Sequence, residues 1–427
     1  MMTSRKSSLD HQATEAFVWI WLPGETRPVV AGRLELDNNH LLFNYGKSYL
    51  ERIHDTNPAI PIYEPELPLR GGLLPLPEGL SMPGCIRDAA PDAWGRRVII
   101  NKKMGLQGAN TDTTVLNELT YLLESGSDRI GALDFQQSSS HYEPRSAVNV
   151  SLEELLDSAV RVEKGVPLTP ELDIALYHGT AIGGARPKAL VEDNHQKYVA
   201  KFSSSTDLYS VVKAEFIAMK LAERVGLDVA PVKLETAANK DVLLIERFDR
   251  KNTSNGWTRK SMVSALTLFG LDDMMARYAS YETLAEIIRF RFTAPRKTLK
   301  ELFCRLVFNI LCGNTDDHAR NHAAFWNGKE LTLTPAYDIC PQNRSGNEAS
   351  QAMLIHDNNN LSKLTNCLET AHNFLLSKED ALNIFEEQKN IIENNWQAVC
   401  DEAQLNGTDR KLFWGRQFLN PFAFEGL

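Results

Sequence analysis

From Glu301 to Cys312 apolar residues recur at positions 302, 303, 306, 307, 310 and 311. That spacing is one stripe of an α-helix, and such a stripe has to be buried against other elements. Gly313 follows at once and suits a helix exit. The polar loop from Asn314 to Asn321 is therefore expected at the end of a buried helix, and a site held by a rigid element is more exact than one on a free loop. Within the loop, four residues separate Asp316 from Asn321, and Asp338 stands behind the alternating run Leu331-Thr332-Leu333-Thr334. Phosphoryl transfer asks for such a set: one carboxylate toward the nucleophile, an amide and a second carboxylate toward a metal ion. Ordinary alternatives exist. A Thr-Asp-Asp run after Gly is also a common turn. His318 and His322 have the spacing of a zinc-binding helix, but Ala319 stands where the Glu of H-E-x-x-H would be, which argues against zinc.

The upstream sequence supplies further groups in a telling order. Lys201 lies in the strand-like run Tyr198-Val199-Ala200-Lys201-Phe202, and Glu215 lies on the next helical segment. This is the order of the Lys–Glu pair of protein kinases, in which the lysine meets nucleotide phosphates. The segment GTAIGGARPK, Gly179 to Lys188, is not a Walker motif, since Ala185 and Arg186 follow Gly184. Gly183 and Gly184 would let backbone N–H groups approach an anion, with Lys188 adding charge; a plain hairpin turn accounts for the segment equally well. Glu246 and Phe248 fall where a connection between lobes would offer backbone groups to adenine, and a simple strand end is the other reading. His318 can touch phosphate or hold the loop by a hydrogen bond, the commoner task for a histidine.

A chain of 427 residues, 43% hydrophobic and 24% charged, has room for two or three domains with cores. No apolar run approaches the roughly 18 residues of a membrane span. The opening MMTSRKSSLDHQ has no apolar core, so no secretory leader and a cytoplasmic location are expected. Six cysteines make no CxxC pair and are expected reduced and mostly buried. The net charge of −9 argues against a dedicated nucleic-acid binder. Two basic clusters, Arg96, Arg97, Lys102 and Lys103, and Arg289, Arg291, Arg296, Lys297 and Lys300, read as solvated faces. They could contact phosphate or an acidic partner if another subunit supplies most of the binding.

Strands are expected at 17–22, 29–36, 41–45, 188–191, 198–202 and 242–246, and helices at 92–103, 113–124, from Ser151 and at 211–225. Residues 136–150 read as a linker and KNTSNGW as a loop, with a mostly helical remainder. The fold class is α+β: a two-lobed, kinase-like core behind an N-terminal α/β subdomain. The boundaries fall at 1–150 for the subdomain and linker, 151–250 for an N-lobe with the glycine-rich loop, and 251–427 for a helical C-lobe.

With GGARPKALV, YVAKF, the helix carrying Glu215, IERFDR, GNTDDHARN and LTPAYDI in this order, the chain resembles the HipA family of serine/threonine-kinase toxins of bacterial toxin–antitoxin modules. The resemblance spans Thr180 to Asp338. IRDAAPDAWGRRVI and SDRIGAL resemble the family's smaller N-terminal subdomain more loosely. It implies ATP- and Mg2+-dependent phosphorylation of a protein hydroxyl, with Asp316 as catalytic base and Asn321 and Asp338 on the metal. It further implies Lys201 on the ATP phosphates, assisted by Lys188 and His318, and Glu246 and Phe248 against adenine. The family's substrates include aminoacyl-tRNA synthetases. Its partner is a small helix-turn-helix antitoxin, HipB-like, through which alone DNA would be reached.

One departure concerns regulation. The family's glycine loop often carries an autophosphorylated Ser two residues before the glycine pair; here Ala181 stands there, and Thr180 offers a hydroxyl one position earlier. Two other functions compete. One is a co-repressor or scaffold subunit of a DNA-binding complex with weak or no catalysis. The other is a small-molecule or lipid kinase, which nothing membrane-directed in the sequence supports.

Overall fold

The computed structural model describes residues 13–104, 112–145, 151–163, 166, 186–193, 195–203, 207, 209–344 and 346–427. In chain order the strands are β1 (Glu15–Ile20), β2 (Val29–Asp37), β3 (His40–Tyr45), β4 (Leu133–Gln136), β5 (Lys188–Glu192), β6 (Lys197–Phe202), β7 (Val232–Ala237) and β8 (Lys240–Glu246). They continue with β9 (Arg250–Thr253), β10 (Gly256–Arg259), β11 (Ser261–Ser264), β12 (Ala323–Trp326) and β13 (Leu331–Leu333). The principal helices are α1 (Ala93–Met104), α2 (Glu118–Glu124), α3 (Leu152–Glu163), α4 (Val211–Arg224), α5 (Tyr281–Arg291), α6 (Pro295–Cys312), α7 (Leu364–Thr370), α8 (Lys378–Glu402) and α9 (Gly407–Phe413).

Two compact units share the chain. The first takes Met1–Ser204, Asp249–Met262 and Asn327–Lys329, and the second takes Ser205–Phe248, Val263–Trp326 and Glu330–Leu427.

In the first unit an antiparallel sheet runs β3-β2-β1-β4. Its alternation buries Val18, Ile20, Leu34 and Phe43 completely, as period-two packing requires. A β-carbon on Gly32 would lie 2.2 Å from the Asn44 carbonyl oxygen, so β2 and β3 approach too closely for any side chain there. β4 is buried along its whole length. It was not foreseen, because a short strand without alternation carries no period-two signal. The helix expected over 113–124 divides into a 3-10 turn, Thr113–Val115, and α2. The Asn117 side chain accepts from Thr120 N at 2.8 Å and starts a new helix there. At α3 the expected capping box forms, with Ser151 N donating to Glu154 at 2.9 Å and Glu154 N to Ser151 Oγ at 3.2 Å. KNTSNGW, read as a loop, instead spans the β9–β10 hairpin. Its exposed Lys and Asn residues have weak strand preference. The pairing is anchored by Arg250, which donates to Gly131 O at 2.8 Å and Asp128 Oδ1 at 3.0 Å.

In the second unit α6 buries Leu302, Phe303, Leu306, Val307, Ile310 and Leu311 completely, each contributing about 1.5–3 kcal/mol. Phe303 packs on Phe374 and Phe385, with ring centroids 5.3 and 6.2 Å apart. α8 starts with a capping box between Ser377 and Asp380. β7 and β8 form a hairpin, of which only β8 was expected. All six cysteines are free thiols, four of them buried. No helix among the described residues is long and apolar enough to cross a membrane.

Candidate active site

The site of the second unit begins where α6 ends. Gly313 has φ 72° and caps the helix in the left-handed region. A β-carbon there would lie 2.5 Å from the Gln417 carbonyl oxygen, so conformation and space both demand glycine. Asn314 Nδ2 donates to Asn309 Oδ1 at 3.0 Å and ties the loop back to α6. Asp316 is exposed, the adjacent Asp317 is buried, and a 3-10 turn, Ala319–Asn321, closes the loop before β12. Asn321 Nδ2 donates to the Asp316 carbonyl oxygen at 3.2 Å, which turns Oδ1 away from that contact.

The segment carrying Asp338 is fixed just before it. Ala336 N donates to Asp228 O at 2.7 Å and Ala336 O accepts from Ala230 N at 2.9 Å. Asp338 then takes φ 59°, the left-handed region that a side-chain-bearing residue rarely occupies. Tyr337 Oη donates to Arg320 O at 2.7 Å and links this segment to the loop. Although Asp316 reaches solvent, its partial desolvation pushes the carboxyl above its usual range, and the negative charges of Asp338 and Asp317 add to that, against an opposing effect of His318. Asp316, Asn321 and Asp338 thus gather in one neighbourhood. His318 is half-buried beside them, and its Nδ1 is buried without a hydrogen-bond partner among the described residues.

Phe248 lies just beyond β8, its ring 5.9 Å from Phe325 and 5.6 Å from Tyr337. Glu246, at the end of β8, donates its N–H to Pro231 O at 2.9 Å. An aromatic group therefore adjoins the residue preceding Asp338. Tyr337 was not singled out from the sequence, although its place beside Asp338 was the available signal.

In the first unit Lys188 and Lys201 sit directly opposite each other in the β5–β6 hairpin. Opposed residues share a face, and like charges so placed repel. The Lys188 ammonium is 2% exposed and lies 3.3 Å from Asp92 Oδ2. The other oxygen of Asp92 accepts from Gly95 N at 2.8 Å at the start of α1. Burial raises the Asp92 carboxyl, and the Lys188 charge only partly offsets this. Asp92 was not picked out as a partner; its contact with Lys188 spans 96 sequence positions. Gly183, Gly184, Thr180 and Ala181 lie outside the described residues.

Residues 180–396 match the family model of the HipA-like C-terminal domain. The chain belongs to the HipA family. Among curated relatives, "Putative kinase Y4mE" of Sinorhizobium fredii is 26% identical over 33% of this chain. The serine/threonine-protein kinase toxin HipA of Shewanella oneidensis is 26% identical over 37% of it. The chain spans 33% and 42% of the length of those two relatives. A solved Shewanella oneidensis structure, of the HipA, HipB and operator DNA complex, aligns with a TM-score of 0.68 at 18% identity. That alignment covers 93% of each chain, and the fold is α+β and kinase-like, as in HipA.

For a HipA-family chain the question is whether this site suits nucleotide and Mg2+. Hard oxygen donors favour Mg2+, and the Asp338 carboxylate and Asn321 Oδ1 are of that kind. Asp338 raises the cost of ionising Asp316, a repulsion that a dication would relieve. The orphaned Nδ1 of His318 is a polar atom in want of a partner. The residues present fit the pair.

Proposed function

We propose that this chain is a serine/threonine protein kinase that transfers the γ-phosphate of ATP to a hydroxyl of a protein substrate. The observation that carries the proposal is the gathering of Asp316, Asn321 and Asp338 on segments pinned to α6 and to 228–230. In this reading Asp316 orients the substrate hydroxyl and takes its proton, which its raised affinity for protons favours. Asn321 and Asp338 hold Mg2+. Bound Mg2+ would neutralise charge on the transferring phosphoryl group. Lys201 meets the ATP phosphates, with Lys188 and His318 assisting and Gly183 and Gly184 covering them. Glu246 and Phe248 lie against adenine, and the ring pair of Phe248 and Tyr337 supports an aromatic wall there. The division at 1–150, 151–250 and 251–427 into subdomain, N-lobe and C-lobe belongs to the same proposal, as does action in the cytoplasm.

Because the solved Shewanella relative is a complex with HipB and operator DNA, we assign a small helix-turn-helix antitoxin as partner, with DNA reached through it. Aminoacyl-tRNA synthetases stand first among substrates to test. Labelled γ-phosphate of ATP should pass, with Mg2+, to one member of a synthetase panel or to a protein in a cell extract. Asp316→Asn should lower that transfer by about 100-fold or more. Equal labelling by both proteins defeats the kinase reading. The same complex favours a second reading, a co-repressor without catalysis. It predicts that Asp316→Asn leaves operator binding with the antitoxin unchanged while wild-type protein labels nothing.

A further inference from the structure

Behind the outward-facing Asp316 lies a buried polar cluster with no role in the scheme above. Asp317 and His322 each directly follow a proposed functional residue, Asp316 and Asn321. Both are almost fully enclosed, at 3% exposure. His322 Nε2 lies 3.1 Å from Asp317 Oδ1 and 3.2 Å from Oδ2. A carboxylate only accepts, so Nε2 carries the hydrogen. The hydroxyl of Tyr281, the first residue of α5, donates to Asp317 Oδ2 and lies 3.3 Å from His322 Nε2. The Tyr281 and His322 rings meet edge to face at 5.5 Å.

We propose that Asp317 and His322 are positioning residues, forming a clasp that closes the loop from behind and sets the spacing between Asp316 and Asn321. This rests on the kinase reading for what the spacing does, and on the geometry alone for the clasp itself. Four residues separate Asp316 from Asn321, and the side chain that follows each of them turns inward to the same point. Tyr281 anchors that point to α5, and its N–H is held by Leu354 O at 2.9 Å. The outgoing backbone is fixed independently, with His322 O accepting from Ala265 N at 2.7 Å. The ring is therefore not needed to hold β12, and its contact with Asp317 acts on the loop. Burial alone would raise the Asp317 carboxyl, but His322 and Tyr281 outweigh it and hold the group below its usual range. Burial and Asp317 raise Tyr281 well above the usual phenol value, which keeps it a donor.

The test uses the full chain with His322→Leu, Asp317→Asn and His322→Gln, whose amide N–H reaches the place of Nε2. Misplacing a reacting group by about 1 Å costs on the order of 100-fold. His322→Leu and Asp317→Asn should therefore lose about 30- to 100-fold in kcat, while KM for ATP stays within about threefold. His322→Gln should recover about tenfold or more over His322→Leu. Hydrogen–deuterium exchange of the peptide 314–322 should rise in His322→Leu and Asp317→Asn, with the 232–246 hairpin unchanged. A Gln variant as slow as the Leu variant overturns the clasp, as does a loss confined to KM. Unchanged exchange at 314–322 overturns it too. If the wild-type chain transfers no phosphate to any substrate, the kinase reading falls, and the exchange measurement alone then decides the clasp in either direction. Should His322→Leu fail to fold, Asp317→Asn and His322→Gln carry the comparison.

Discussion

Two neighbouring acids divide the work of one site. Asp316 points to solvent and Asp317 into the core, where His322 and Tyr281 meet it. Their substitutions should separate cleanly. Asp316→Asn should lower phosphotransfer by about 100-fold or more and leave the urea midpoint close to wild type, since an exposed side chain is exchanged. Asp317→Asn should cost about 1.5–3 kcal/mol of stability, because a buried charge-assisted hydrogen bond is lost. Urea denaturation beside the transfer assay checks both. The spacing Asp-x4-Asn and the late Asp338 were readable in the chain. The inward turn of Asp317, the left-handed backbone of Asp338 and the Asp92 carboxylate on Lys188 were not, since each depends on groups distant in sequence.

Helix ends set where the site residues begin. Gly313 ends α6, and Gly226, with φ 86°, follows α4. Both occupy left-handed backbone, where a non-glycine residue costs about 1–2 kcal/mol. Around Gly226 nothing lies within 4 Å of a would-be β-carbon, whereas at Gly313 the Gln417 carbonyl blocks it. Gly226→Ala should thus cost only the conformational amount. Gly313→Ala should cost clearly more, and it should lower phosphotransfer as the loop shifts. Denaturation midpoints and initial rates of the two variants provide the comparison. The strongly periodic α6, the alternating β6 and the apolar runs of β5 and β8 were legible in the sequence. β4 and the β9–β10 hairpin were not, because short, fully buried or charged strands lack the pattern that announces them; β7, VKLETA, does alternate but was not picked out.

At the scale of the molecule the chain does not fill its compact units in linear order. Asp249–Met262 joins the first unit after Ser205–Phe248 has gone to the second. A fragment ending at residue 204 would lack Arg250, leaving the Gly131 carbonyl without that donor and Asp128 with Lys197 but without the guanidinium. It should show poorly dispersed NMR spectra, unlike the intact chain. The first unit also buries an acid between two guanidiniums. Asp134 Oδ1 lies 2.9 Å from Arg129 and 2.8 Å from Arg145. Burial opposes its ionisation, but the two arginines hold its carboxyl below the usual range, while burial lowers Arg129 only to about 10. The pair is charged at neutral pH. A depressed carboxylate stabilises the fold fully above its unfolded value, about 3.9. That stabilisation disappears as pH falls through the lower folded value. Asp134→Asn should therefore cost about 3–5 kcal/mol at pH 7, with arginines left unmatched. The gap from wild type should stay level down to about pH 5 and narrow below about pH 4; urea titrations at pH 7, 5 and 3.5 would reveal it.

By itself the sequence determined the chemistry on offer: two carboxylates and an amide at fixed spacing behind a buried helix, and the order of motifs that marks the HipA family. Periodicity and local spacing carry that information, because they depend only on near neighbours along the chain. Tertiary structure decided which of two adjacent acids faces outward, which carboxylate takes Lys188, and which distant hairpin completes the first unit. Those choices rest on burial and pairing between segments far apart in sequence, where the energy of enclosing a charge exceeds any local preference.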